Sequence, residues 1–149
     1  MKKLFYIISI LIAAICVQSC GKSMDGVWTC KKVTIVGKNY DDLPDLTKDA
    51  LDRHIGATMT FKDSIIVDAQ KDYSGVFMTK GYYHFSDDHK VMTVSFKKES
   101  DNGGATWVDV FVGLPTVFDY QIVSLDDKEF IFRLDQGGGI TFEYTYKKE

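Results

Sequence analysis

Side chains that could do chemistry are few in this sequence, and their spacing matches no metal or catalytic pattern. The histidines are His54, His84 and His89, with no His-x-His, no His-Glu-x-x-His and no cysteine pair beside them. We place His54 on a helix, His84 on the outer face of a strand and His89 in a turn. The sequence therefore predicts no metal site and no catalytic histidine.

The acidic pairs and the glycine runs are explained by turns. Asp87-Asp88 and Asp126-Asp127 each separate two apolar strand patterns, and aspartates commonly close such hairpins. Gly103-Gly104 and Gly137-Gly138-Gly139 lack the Lys-Ser/Thr of a phosphate-binding loop, and the sequence contains no Gly-x-Ser-x-Gly elbow. We expect no catalytic residue and no cofactor, and hence a protein that is not an enzyme.

The N-terminus has the pattern of a lipoprotein export signal. Met1-Lys2-Lys3 precedes 14 uncharged residues, 4–17, whereas a membrane-spanning helix needs about 20 apolar residues. At its end, Val17-Gln18-Ser19-Cys20 resembles the lipobox of bacterial lipoproteins, with Gln18 where Ser, Thr or Ala is more usual. The resemblance implies cleavage before Cys20, a diacylglycerol on its thiol and a further acyl chain, such as palmitate, on its amine.

These processing steps set the expected location of the protein. Residues 1–19 form a signal peptide and residues 20–24 a short lipidated tether, and the loss of Lys2 and Lys3 changes the net charge from -3 to -5. Two or three acyl chains hold a protein durably at a membrane, whereas one does so only marginally. We therefore expect a cell-envelope protein anchored through Cys20, with the outer membrane as the expected location.

Composition limits the rest of the chain to one compact domain. Its 149 residues match a single domain, and 45% hydrophobic with 13% aromatic residues is enough for one core. With 18 Lys and Arg against 21 Asp and Glu, and no basic run beyond paired lysines, the sequence argues against a nucleic-acid partner. Cys16 is discarded with the signal and Cys20 is lipidated, so Cys30 is left without a disulfide partner and is expected to be a small buried residue.

Apolar and polar residues alternate through most of residues 25–149, which predicts eight to ten short antiparallel strands. In the first strand, a bulge near Lys31-Lys32 would place Trp28 and Cys30 on the same face as Val33 and Ile35. One helix is predicted over residues 43–55, between the first and second strands. The expected fold is all-β, an up-and-down antiparallel barrel of about eight strands, with a sandwich as the alternative.

Two segments carry a family resemblance. Gly26-Val27-Trp28 resembles the Gly-x-Trp signature of lipocalins, calycin-type β-barrels in which the tryptophan closes one end. Residues 120–132 and 142–148 are similar to the C-terminal half of small lipocalin-like lipoproteins of Bacteroidota. The predicted helix after the first strand is more like the lid of fatty-acid-binding proteins than like the C-terminal helix of a classical lipocalin. The resemblance also implies a late arginine against Trp28, and the only late arginine is Arg133, whose alternation with apolar neighbours points it outward.

Ten aromatic residues occupy strand positions whose alternation points them into the predicted barrel. They are Phe61, Tyr83, Phe85, Phe96, Phe118, Tyr120, Phe130, Phe132, Phe142 and Tyr144. An eight-stranded barrel is either just filled by its side chains or holds one small ligand. The sequence leaves both possibilities open.

Each possibility implies a different function. In a ligand-binding barrel, small hydrophobic molecules would contact Tyr83, Phe85, Tyr120 and Phe132 in the interior, and the helix residues Leu46 and Ala50 would face the mouth. In a filled barrel, the protein would be a structural or interaction lipoprotein, binding an envelope protein through loop residues such as Tyr73 and Leu114-Pro115.

Overall fold

The computed structural model describes residues 23–72, 75–110, 113 and 116–149. The predicted signal segment, Cys20 and the loop residues Tyr73, Leu114 and Pro115 lie outside these ranges. The strands are β1 (Gly26–Ile35), β2 (Thr58–Lys62), β3 (Ile65–Asp72), β4 (Gly75–Phe85), β5 (Val91–Ser100), β6 (Val108–Asp109), β7 (Val117–Leu125), β8 (Glu129–Asp135) and β9 (Thr141–Lys148). Between β1 and β2 lie a 3₁₀ turn (Tyr40–Asp42) and helix α1 (Asp45–Asp52).

The strands form a closed antiparallel barrel. Each of the eight long strands pairs with its neighbour along the chain, and β9 returns to pair with β1, from Trp28 opposite Lys148 to Ile35 opposite Phe142. The two-residue strand β6 pairs with β5 beyond the part of β5 that pairs with β7. Closure gives each of the eight long strands a partner on both sides, so that among the described strands only the short β6 keeps a free edge. The predicted up-and-down barrel of about eight strands is confirmed, and the sandwich is excluded.

Helix α1 has the predicted place but is shorter than predicted. It begins after Pro44, whose carbonyl accepts hydrogen bonds from the Thr47 and Lys48 N–H groups at 2.9 and 3.1 Å. It ends at Asp52 and passes into tighter turns, in which the His54 and Ile55 N–H groups donate to the Leu51 and Asp52 carbonyls at 3.1 and 3.0 Å. At Gly56, with φ at 85°, the N–H donates to the Cys30 carbonyl at 2.9 Å. Among the described residues, no helix has the length and apolar character needed to cross a membrane.

A bulge in β1 gives the first strand its buried face. The register with β9 shifts between Cys30, opposite Tyr146, and Lys32, opposite Thr145. The extra residue, Lys31, is exposed, and Trp28, Cys30 and Val33 are all buried. Side chains alternate with a period of two, so one inserted residue is needed to bring these three to one face. The predicted bulge is confirmed.

A second irregularity lies where β4 and β5 approach closely. The register shifts between Lys80 and Gly81, and a Cβ on Gly81 would collide with the Ser95 carbonyl oxygen and come within 2.7 Å of the Phe96 Cα. Only glycine fits this position, because the opposing atoms belong to the backbone and cannot move aside cheaply.

Trp28 closes one end of the barrel, which we call the Trp28 end. Its indole Nε1 donates to the Met24 carbonyl at 2.8 Å, and its ring meets Phe130 edge-on at 6.2 Å. The Lys148 ammonium lies 5.3 Å from the centre of the Trp28 ring. Arg133 instead points outward and pairs with Glu143 at 2.8 Å. Lysine from the last strand therefore occupies the position that the resemblance implied for an arginine.

Candidate functional site

The middle of the barrel is filled by stacked aromatic side chains. Phe132 lies between Tyr120 and Tyr144, with ring centres 4.4 and 5.0 Å away, and Tyr146 stacks on it at 5.8 Å. All four residues are buried. We call this group the aromatic floor, because it separates the Trp28 end from a cavity at the other end.

That cavity, here called the cup, has a volume of about 340 Å³ and is mainly apolar. Its wall combines residues from eight parts of the chain, namely His54, Asp68, Gln70, Phe77, Thr79, Phe96, Glu99, Val110, Thr116, Phe118, Tyr120, Leu134, Gln136 and Tyr144. Two of them, Phe77 and Gln136, are exposed, so the cup opens to solvent on their side. The arrangement can enclose the apolar part of a small molecule.

Asp68 is the most unusual residue in the wall of the cup. Its side chain is only 9% exposed, its Oδ2 accepts a hydrogen bond from Gln70 Nε2 at 3.1 Å, and its Oδ1 has no hydrogen-bond partner among the described residues. Burial raises the pKa of the Asp68 carboxyl from 3.8 to about 6, and the Gln70 hydrogen bond opposes this only in part. A buried polar atom without a partner costs about 1–3 kcal/mol.

Sequence reasoning missed Asp68, although a local signal existed. Ile66, Asp68 and Gln70 alternate along β3 and share its inner face, with Ile66 fully buried. An acid at the same parity as a core isoleucine was therefore placed inward by the strand pattern itself.

His54 also lines the cup, contrary to its predicted place on the helix. It follows α1 by two residues, in the turn that leads to β2, because the helix ends earlier than predicted. Its ring meets Tyr144 edge-on at 5.5 Å, and burial lowers the pKa of the imidazole below its ordinary value of 6.5. His54 is therefore neutral at pH 7 and adds no positive charge to the cup.

The six predicted ligand-binding residues are not brought together. Tyr120 lines the cup, whereas Phe132 lies within the aromatic floor and is 1% exposed. Tyr83 and Phe85 pack at the Trp28 end, where Tyr83 meets Phe61 at 5.0 Å and Phe85 stacks on His89 at 5.7 Å. Strand parity places these side chains inward. However, β4 runs from the cup, which Phe77 lines, to the opposite end of the barrel, where Tyr83 and Phe85 lie.

Neither of the two helix residues predicted to face the mouth lines the cup. Ala50 lines a smaller cavity of about 320 Å³ beside the cup, together with Arg53, His54, Gln70, Lys71 and Phe77. Leu46 is 79% exposed and does not line the cup, so its position facing the mouth stays a prediction. Leu51 is the buried residue of α1, and Leu46 lies five positions before it, about 140° around the helix axis.

The titratable side chains of the described residues form no cluster that could bind a metal ion. Among the described residues, no three His, Cys, Asp or Glu side chains come together as metal ligands would. Glu99 is the second carboxylate in the cup, and no lysine or arginine is among the described residues that line it.

Cys30 is buried as predicted, and its thiol should be unreactive in the folded protein. Burial raises the pKa of the Cys30 thiol to about 11, so very little thiolate is present at neutral pH. In a Cys16→Ser/Cys20→Ser chain, we expect no labelling by a thiol reagent at pH 7.5 in native buffer and one equivalent after unfolding in guanidinium. Rapid labelling of the folded chain would contradict the buried position.

The fold, but no sequence family, is shared with solved structures. No protein-family model and no curated protein matches the chain. A lipocalin-like protein from Bacteroides uniformis ATCC 8492 is 14% identical, covers 85% of this chain with 98% of its own, and has a TM-score of 0.50. An uncharacterized protein from Bacteroides eggerthii DSM 20697 is 15% identical, covers 85% of this chain with 100% of its own, and has a TM-score of 0.49. At 14% identity the likeness to the Bacteroides uniformis protein concerns architecture alone, and the closed antiparallel barrel of this chain is lipocalin-like in that sense.

Proposed function

We propose that this protein is a non-catalytic binding protein of the cell envelope, anchored through Cys20, that holds a small apolar molecule in the cup. The observation that carries the proposal is the cup itself, a cavity of about 340 Å³ with aromatic walls above a solid aromatic floor. Small-molecule sites typically have about 300–1,000 Å³ and a few polar groups in an apolar lining. The floor limits the ligand to the half of the barrel beside α1.

Blocking the cup tests this proposal. Thr79 lines the cup from β4, and Thr60 is exposed on the outer face of β2. We expect the neutral apolar probe N-phenyl-1-naphthylamine to bind with a Kd in the micromolar range, which corresponds to a binding free energy of about -8 kcal/mol. Thr79→Phe should weaken its binding by about 10-fold or more, because the added ring occupies the cup, whereas Thr60→Phe should leave the Kd unchanged.

Far-UV circular dichroism and thermal melting of both variants establish that they are folded. Equal affinity of Thr79→Phe and the unsubstituted protein would place the probe elsewhere and contradict the proposal.

The anchor is tested separately at Cys20. We expect the protein to partition with membranes after cell lysis and to incorporate radiolabelled palmitate, because one or two acyl chains beyond the first make the attachment durable. Cys20→Ser should abolish labelling and either release the protein or leave its precursor uncleaved. A soluble protein with an unmodified Cys20 would contradict the anchor, and Cys30→Ser serves as the matched control.

A second candidate, an interaction lipoprotein, is favoured by a groove on the outer face of the barrel. This groove has a volume of about 370 Å³ and is lined by Ile65, Lys80, Gly81, Tyr82, Lys97, Lys98 and Trp107. Tyr82 is 59% exposed there, and exposed aromatic residues beside cations are common at protein interfaces. Failure of all apolar probes to bind the cup would favour this candidate.

A further inference from the structure

Building on the proposed function, we propose that the molecule held in the cup is a small amine with an apolar body, whose ammonium group pairs with the Asp68 carboxylate. The inference concerns the chemical class of the ligand, which the apolar character of the cup leaves open. It rests on the unpartnered oxygen of Asp68 and on the charges around the cup.

Asp68 has no counterion among the described residues around the cup. Its side chain is nine-tenths buried, and its Oδ2 already accepts the hydrogen bond from Gln70, while its Oδ1 has no partner among the described residues. Buried carboxylates are ordinarily paired with a cation or with several hydrogen-bond donors. A ligand ammonium would supply both a charge and a donor at the same oxygen.

The charges of the cup favour a cation over an anion. Its wall contains the carboxyl groups of Asp68 and Glu99, and no lysine or arginine occurs among its described lining residues. The aromatic faces of Phe118 and Tyr120 also attract cations. A ligand carboxylate would instead meet two like charges in a partly desolvated cavity.

The other groups that surround Asp68 leave its charge uncompensated. The titratable groups that face or interact with it, from β1, the turn after α1, β5, β7 and β9, are Cys30, His54, Glu99, Tyr120, Tyr144 and Tyr146. Burial raises the pKa of the thiol and of the three phenols and lowers the pKa of the imidazole, so all five are neutral at pH 7. None of these groups supplies a positive charge at neutral pH.

Cations do occur outside the cup, and they define the competing outcome. Arg53 and Lys71 line the smaller neighbouring cavity, which shares His54, Gln70 and Phe77 with the cup. An acidic ligand could place its carboxylate there and its apolar body in the cup. The two arrangements predict opposite preferences between an amine and an acid of the same shape.

Three matched naphthyl probes separate these arrangements. We would titrate 2-(1-naphthyl)ethylamine, 2-(1-naphthyl)ethanol and the carboxylate of 1-naphthaleneacetic acid into the full-length protein by isothermal calorimetry at pH 7.5. The amine is expected to bind about 10- to 100-fold more tightly than the alcohol, as a charge-assisted hydrogen bond at a buried site allows, and the acid is expected to bind most weakly. Asp68→Asn should abolish the preference for the amine, whereas Asp127→Asn, which removes an exposed hairpin acid, should preserve it.

A pH series adds an independent readout. The amine stays protonated between pH 5 and 7.5, as a lysine does, so the loss of the Asp68 charge on acidification should weaken its binding by about 10-fold at pH 5. Binding of the alcohol, and of the amine to Asp68→Asn, should not change in this way.

Several outcomes would overturn the inference. Tighter binding of the acid would assign the polar contact to Arg53 and Lys71, and equal affinity for all three probes would remove any role for Asp68. In both cases the cup would remain a binding site. Absence of binding by all three probes would overturn the proposed function as well.

Discussion

Replacing Trp28 with alanine is expected to lower the free energy of unfolding by about 3–5 kcal/mol, the range for large-to-small aromatic substitutions in a core. Trp28 has no exposed surface and packs edge-on against Phe130. The substitution also removes the indole hydrogen bond to the Met24 carbonyl and the ring beneath the Lys148 ammonium. Because Trp28 closes one end of the barrel, little of the resulting cavity can collapse.

Urea titration followed by far-UV circular dichroism measures this loss. Trp107→Ala is the matched control, since Trp107 is only half-buried and lines the outer groove, and it should cost clearly less. Trp28→Phe should fall between the two, because it keeps an aromatic ring but loses the N–H donor. A loss below about 1 kcal/mol for Trp28→Ala would contradict its role at the closed end.

The second large effect is the dependence of stability on the ionisation of Asp68. Its pKa is about 6 in the folded chain against 3.8 for the ordinary group, so the folded state holds its proton more tightly than the unfolded state. Between these two pKa values the unfolded state binds fewer protons, and stability must fall as the pH rises. A difference of about two pKa units corresponds to about 3 kcal/mol, which is lost by pH 7.5 and regained below pH 4.

Asp68→Asn tests this effect because asparagine has nearly the same shape without the charge. At pH 7.5 the variant should be more stable than the unsubstituted protein by about 1–3 kcal/mol, since the unpaired amide group still costs part of the gain. The difference should shrink as the pH falls towards about 3, below both pKa values, where Asp68 is largely protonated in the folded and the unfolded state. Asp127→Asn should show neither the gain nor its pH dependence, and a destabilised Asp68→Asn at pH 7.5 would show that the Asp68 charge has a partner.

Local patterns predicted the fold well because the physics behind them is local. Trp28, Cys30 and Val33 share a buried face, as the alternation and the predicted bulge required. A short helix follows the first strand as predicted. Pro44 and the acids around it favour the start of a helix through local interactions, which do not depend on the tertiary structure. The lipid anchor at Cys20 stays a prediction, because that residue lies outside the described ranges.

The candidate site was predicted less well, and Tyr120 and Tyr83 show why. Both side chains point inward, yet Tyr120 lines the cup and Tyr83 packs at the Trp28 end. Strand parity specifies the face of a residue, whereas its height in the barrel depends on the register of that strand with its two neighbours. Register is a property of pairs of strands, and no single segment contains it.

The sequence by itself therefore determined the alternating strands, the inward aromatic set, the position of the helix and the buried state of Cys30. Only the tertiary structure decided that the aromatic residues fill one half of the barrel and leave a cup in the other, and that Leu46 faces solvent. It also decided the importance of Asp68, an acid on the inner face of β3. Its missing counterion becomes visible only when barrel closure brings β1, β5, β7 and β9 around it, because the environment of a buried charge is set by residues distant in the chain.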